Sequence, residues 1–504
     1  SLADQSLYDE LLKGVEYKFS KNKWGDGEEG RIVPNSMFTG TGPAQPYLDY
    51  AIRGLINDAQ NGFAQNLRNE ITELVNIDIL GDISNFTNLK KLDIAYPRDE
   101  NSPASISLSK FSNFKELISL TISIDIVGDK DMSAFSNINK LEHLSFYNKV
   151  SFKTLTGIEK CSKLKTLSIS EAPELENFEG LGSCKKLSSI EITGYESGSK
   201  KLKNLDALSG LQSLKEIRLD HTLSLENIDG LKGIKSLTNI SITEADSLKN
   251  IDGLKGCSSL EELVIRCESK SLIQNLDGIK GLKKISNIEL SGLDSLKNID
   301  GLMNSDSLIS IHLGANKLKN IDGLTGCNNL DYFNVDGDNL ENLDGLKGNK
   351  VLQELTIPLA PKRLNLDGLS SMKSLKKTDF SGCNITSFGF TKKNSQIKGV
   401  NIRNCNEIIS LEGLENLEGL THIVIKDCQK LKSLKGIEGL TNLKSFIIQD
   451  CKSLKEIDLL LSLKKLKIFK MRSCGLKKDD VPGHLKIIVE TTISYEDDLP
   501  HNFN

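Results

Sequence analysis

The chain has 504 residues, with 64 Lys+Arg against 68 Asp+Glu and a formal net charge of −4. That balance removes the electrostatic footprint of a general nucleic-acid binder, and 38% hydrophobic content is too much for a disordered chain. No apolar run approaches the roughly 18–20 residues that a membrane span needs, so none is expected. Neither a basic n-region nor an apolar h-region opens the sequence at Ser1, and no signal peptide is expected within it.

Residues 1–45 form an N-terminal flank with its own texture. Leu2–Tyr17 has helical apolar spacing, while Trp24–Gly30 and Gly40–Pro43 are rich in turn formers. Asp26, Glu28 and Glu29 fit no EF-hand spacing and read as a solvated loop. Gly40-x-Gly42 lacks both the Lys-Ser/Thr of a phosphate loop and the third glycine of a dinucleotide loop. Pro46–Ile56 regains helical spacing, and Leu74-x-x-Ile77-x-Ile79 reads as a capping strand, so residues 46–88 are assigned to an N-terminal cap.

From Leu89 the pattern L-x-x-L-x-[LI] recurs in register. Copies begin at Leu89, Leu117, Leu141, Leu164, Leu187, Leu214, Leu237, Leu260 and Ile285, then at Leu308, Leu330, Leu352, Leu375, Ile397, Leu420, Leu443 and Leu466. Most intervals are 22 or 23 residues; the exceptions are 28, 24, 27 and 25. Alternation of apolar and polar residues after the first Leu is the period of a half-buried strand. The second half of each unit is best seen in Asn227-Ile228-Asp229-Gly230-Leu231, repeated at 250–254, 298–302 and 320–324. There Asp-Gly is expected to turn the chain, with the Asp carboxylate capping the short helical segment that follows. Neither half buries its apolar side alone, so the units must stack.

These residues resemble the leucine-rich repeat family over roughly 74–475. The resemblance implies an α/β solenoid: a curved parallel sheet on the concave face, with turns, 3-10 segments or short helices on the convex face. Seventeen or so units over 89–475 and a C-terminal cap over 476–504, including a last strand at Leu485–Ile493, complete the expected organisation. The short convex segments, and the cap-like Pro46–Ile56, are similar to the bacterial internalin subclass. The 28-, 27- and 25-residue units place extra residues at Tyr96–Pro103, Tyr195–Lys201 and near Glu268–Ile273, which are expected to protrude at one rim as loops.

The sequence carries no catalytic signature. Its six histidines form no H-x-x-x-H pair, no G-x-S-x-G elbow occurs, and ten cysteines form no C-x-x-C. Cys405, Cys428, Cys451 and Cys474 are each 23 residues apart, and with Cys267 and Cys383 they hold the position just beyond the strand. Cys161, Cys184, Cys257 and Cys327 fall in the convex segment, where small apolar groups pack inward. No enzyme activity, cofactor or metal is expected, and all ten thiols are expected free. The resemblance implies a scaffold that binds a partner protein on its concave face. The candidate contacts, large or charged groups among small neighbours, are Tyr147, Arg218, Arg266, His312, Tyr332 and Asp336, with a basic end at Arg403, Lys426, Lys470 and Arg472. The internalin likeness favours a secreted or surface bacterial protein that meets a host or neighbouring-cell protein; ten reduced cysteines favour a cytoplasmic adaptor or a host-delivered effector. A monomer without nucleic acid is expected in either case.

Overall fold

The computed structural model describes residues 31–32, 72–77, 86–95, 105–194, 198–268, 271–358, 360–389 and 396–475. The expected cap helix Pro46–Ile56 and last strand Leu485–Ile493 lie outside them. The chain divides into two compact units, residues 1–243 and 244–504.

In the first unit, parallel strands stack one per repeat: Glu73–Ile77, Lys91–Ile94, Ser119–Ile122, His143–Lys149, Thr166–Glu171, Ser189–Ile192, Glu216–Leu219 and Asn239–Thr243. Neighbouring strands keep equivalent residues level, as in Leu92 with Leu120 and Ile217 with Ile240, with register shifts after Leu74 and after Phe146. The sheet gains one strand the repeat pattern does not show, Arg31–Ile32, which pairs in parallel with Glu73 and Leu74. The second unit continues in kind with Glu262–Arg266, Asn287–Ser291, Ser310–Gly314, Tyr332–Asp336, Glu354–Ile357, Lys377–Ser381, Gly399–Arg403, His422–Lys426, Ser445–Gln449 and Ile468–Arg472. All these pairings are parallel.

Strands are shorter than the sequence pattern. The first apolar residue of a copy precedes the strand and, in all but the last copy, is buried; in most copies its N–H closes a turn, as Leu308 does to the Ser305 carbonyl at 3.1 Å. The next two apolar positions point into the core, so Leu263, Ile265, Ile288 and Leu290 are buried in consecutive strands. Burying one such side chain contributes about 1.5–3 kcal/mol, and stacking shares it between neighbouring repeats.

The return segments are 3-10 turns of three to five residues, and among the described residues no α-helix occurs. The sequence expectation for their cap needs correcting. The Asp side chain makes no cap hydrogen bond; the Asn two residues earlier does, its Oδ1 accepting from the Asp N–H at 2.7–3.2 Å in eight repeats. This is an Asx turn, and it leaves the Asp carboxylate outside, where Asp252 and Asp344 pair with Lys255 and Lys347. The following glycine is needed for contact rather than for backbone angle. A Cβ on Gly323 would stand 2.1 Å from the Ile299 carbonyl oxygen of the preceding repeat.

The insertion Tyr96–Pro103 lies outside the described residues, and the other two differ from the expectation of free rim loops. Ser199, Ser271 and Ile273 are buried, so the second halves of those insertions return to the stack. The physical reason is hydrogen bonding: Ser199 N–H donates to the Asp220 carbonyl, and Ser271 Oγ accepts from the Ile273 N–H. Between the buried Ser271 and Ile273, Leu272 is exposed, at 47%.

The candidate partner-binding face

On the sheet face opposite the core, side chains of the second unit form level rows because the register holds from strand to strand there. In the second unit the midline row reads Val264, Glu289, His312, Asn334, Thr356, Asp379, Asn401, Val424, Ile447 and Lys470. A second row, at the strand ends, runs Arg266 and Ser291, then Gly314 and Asp336, and further along Arg403, Lys426, Gln449 and Arg472.

Four of the six central candidates and the four basic ones stand on the second unit, in different neighbourhoods. Arg266, His312, Tyr332 and Asp336 share one patch of the second unit. Arg266 Nε donates to Glu289 Oε1 at 2.7 Å, and that guanidinium holds the Glu289 carboxyl below its usual range. His312 lies level with Glu289 on one side and Asn334 on the other. Tyr332 is 44% exposed at the start of its strand, and Asp336 ends the same strand half-buried. Burial pushes the Asp336 carboxyl above the ordinary value, helped by Asp338 and opposed by His312. Tyr147 and Arg218 stand on the first unit, both exposed, with Arg218 Nη2 3.5 Å from Asp220 Oδ2.

The basic end differs from a simple row of solvated cations. Arg403, Lys426 and Arg472 do stand level, but Arg403 is drawn back by Asn401 Oδ1 (3.2 Å) and Asp379 Oδ2 (3.9 Å). The positions between them are closed: Asn401 is 1% exposed, Val424 2% and Ile447 7%, although all three occupy the outward register. Asn401 is drawn down onto the sheet, where its Nδ2 donates to Asp379 Oδ2 at 2.7 Å. Val424 and Ile447 are β-branched apolar residues at outward positions, and that departure from alternation was the sequence signal for a closed patch here.

The ten cysteines are free, and nine are buried. Those beyond the strands donate to carbonyls, Cys405 to Arg403 and Phe380 at 3.3 and 3.5 Å, Cys383 to Ile357 at 3.2 Å. On the 3-10 side Cys161 donates to the Ile138 carbonyl at 3.0 Å. Asn349 holds the equivalent place one repeat after Cys327, bonding the Cys327 and Leu330 carbonyls and the Val351 and Leu352 N–H groups. Among the described residues no group of His, Cys, Asp and Glu could hold a metal ion, and no helix is long and apolar enough to cross a membrane.

The family of the BspA-type leucine-rich repeat region matches residues 373–499 in six copies. An internalin of Listeria monocytogenes is similar at 15% identity over 84% of this chain and 94% of its own, with a TM-score of 0.34. A leucine-rich repeat protein of Leptospira interrogans shows 14% identity over 86% and 98%, at 0.49. The functional domain of a second Listeria monocytogenes internalin, which includes a cysteine ladder, shows 16% over 81% and 74%, at 0.45. No curated protein matches. The repeat geometry is that of the leucine-rich repeat solenoid, and residues 373–499 carry the match to the leucine-rich repeat family.

Proposed function

We propose that this protein is a non-catalytic recognition scaffold that binds a partner protein on the strand face, concave in this fold class. One observation carries the reading: an unbroken parallel register presents Arg266, Glu289, His312, Tyr332 and Asp336 as one patch of large and charged groups amid Ser310, Asn334 and Thr356. Arg and Tyr are favoured anchors in protein interfaces, and a rigid sheet spends little entropy in presenting them. Tyr147 and Arg218 are secondary contacts on the first unit, and the row Arg403, Lys426, Lys470 and Arg472 steers an approaching acidic surface. We place the protein outside a bacterial cell or on its surface, as a monomer that meets a host or neighbouring-cell protein. We assign the caps to residues 1–88 and 476–504 around the repeats of 89–475.

The cytoplasmic alternative draws on ten free thiols, and burial weakens that argument. Cys161 and Cys184 are pushed up to about 12 by desolvation, so neither forms the thiolate that oxidants attack. Free cysteines of this kind are compatible with an oxidising compartment.

The test is display selection of folded binding domains against the whole chain. Binders that use this patch should dissociate faster from Tyr332→Ala and Arg266→Ala variants, each by about 1–2 kcal/mol. Reversing Arg403, Lys426, Lys470 and Arg472 to Glu should instead slow association in a salt-dependent way. Binders that ignore both sets of changes would remove the strand face from the reading.

A further inference from the structure

We propose that the end of the strand Tyr332–Asp336 is the seat for a basic side chain, Arg or Lys, carried by an extended segment of the partner. This rests on the strand-face reading above and names the chemistry it selects.

Three observations converge on that point. The Asp336 Oδ1 and the Asn334 Oδ1 are out of contact with solvent and have no hydrogen-bond partner, although both residues belong to the outward face. Two acceptors on one short strand are thus left unmatched, which costs free energy that a donor from outside would recover. Next, Asp336 stands level with Gly314, and the residue beside Gly314 on its other side is Ser291. With no side chain at Gly314, where a Cβ would stand 3.4 Å from Ser291 Cα, nothing projects over the backbone between Ser291 and the carboxylate, which leaves a shallow notch there.

The third observation is what lies past the notch. Where these strands turn, an open groove of about 430 Å³ is lined by polar groups, among them Asp294 and Asn316, with Leu272 at its edge. Asp294 Oδ1 accepts from Asn316 Nδ2 at 2.8 Å, which fixes its carboxylate there. Asp338 adds a further negative charge close to Asp336, and Lys317 is the cation in the lining. The partial burial that raises the Asp336 carboxyl also means that part of the desolvation cost of an ion pair is already met in the free protein. A guanidinium or ammonium group docking there replaces missing hydrogen bonds and relieves acid–acid repulsion together. An acidic or apolar segment does neither.

The experiment uses random dodecapeptides displayed on phage and selected against the whole chain, keeping those whose binding falls at least tenfold with Tyr332→Ala. The kept set should be enriched in Arg or Lys. For a kept peptide, Asp336→Asn should weaken binding at least tenfold, and replacing its key Arg by neutral citrulline should weaken wild-type binding as much. In the Asp336→Asn protein that same replacement should have little further effect. Asp336→Ala, with unchanged circular dichroism, guards against a merely misfolded variant. Kept peptides that lack basic residues and ignore Asp336→Asn would overturn this inference while the strand face stands. A selection that yields no peptide sensitive to Tyr332→Ala would overturn the strand-face reading itself, and this inference with it.

Discussion

At the scale of single residues, Thr378 and Asp336 each hold a buried oxygen without a hydrogen-bond partner. Thr378 takes an inward position level with Leu355 and Val400, is fully buried, and its hydroxyl has no hydrogen-bond partner. Thr378→Val keeps the shape and removes the unmatched hydroxyl, so it should raise stability by about 1 kcal/mol, read as a higher urea midpoint at unchanged slope. A loss would mean that the hydroxyl is bonded after all. Asp336 is the outward counterpart. Its carboxyl is raised above 3.8 by burial first, so it binds a proton more tightly folded than unfolded. Its contribution to stability is therefore present below the unfolded value and lost as pH rises through the folded one. Asp336→Asn should be more stable than wild type at pH 7, and the gain should vanish near about pH 4. A gain that does not depend on pH would show that shape and not charge sets it.

At the scale of the repeat, the 3-10 turn shows what the sequence made legible and what it concealed. The motif Asn-Ile-Asp-Gly-Leu announced a turn with two inward aliphatics, and Ile321 and Leu324 are buried as that motif implies. It also suggested Asp as the cap, because both Asn and Asp cap helices and the pattern does not say which oxygen reaches the N–H; the backbone places Asn320 at 3.2 Å from the Asp322 nitrogen. The role of the glycine was hidden for a different reason, since its neighbour belongs to another repeat. Ile299 O lies where a Gly323 Cβ would be. Gly323→Ala should therefore destabilise the protein by roughly 2 kcal/mol or more through backbone displacement, whereas Asn320→Ala should cost only about 0.5–2 kcal/mol. Chemical denaturation of the two variants decides it: equal costs would mean that the repeats are not in the close contact seen here.

On the strand side the same contrast holds. Alternation gave the rows, so the placement of Arg266, His312, Tyr332 and Asp336 on one face needed nothing beyond a period of two. The unmatched oxygens of Asn334 and Asp336, the notch at Gly314 and the closed stretch at Asn401, Val424 and Ile447 depend on which neighbours stand level across strands, and 22–23 residues of sequence separate those neighbours.

At the scale of the whole molecule, the cysteines link fold to environment. Ten thiols recur because the repeat recurs, and nine of them donate to a carbonyl, as Cys451 does to Gln449 at 3.2 Å and Cys327 to Leu302 at 3.3 Å. Two features suppress reactivity at once. Burial denies access, and desolvation raises Cys161, Cys184 and Cys327 so that the nucleophilic thiolate is scarce near neutral pH. Cys474 alone is only half-buried, with its thiol on the Arg472 carbonyl at 3.4 Å. Alkylation under non-reducing conditions should therefore label at most Cys474 in the native protein and all ten thiols in denaturant, counted by mass. The Cys474→Ser variant should then label at no site when native and at nine when denatured. Fewer than ten in denatured wild type would reveal disulfides and overturn the free-thiol ladder. Rapid native labelling at Cys405 or Cys428 would instead show that the repeats open there readily, and that this end of the stack is less stable than its burial implies.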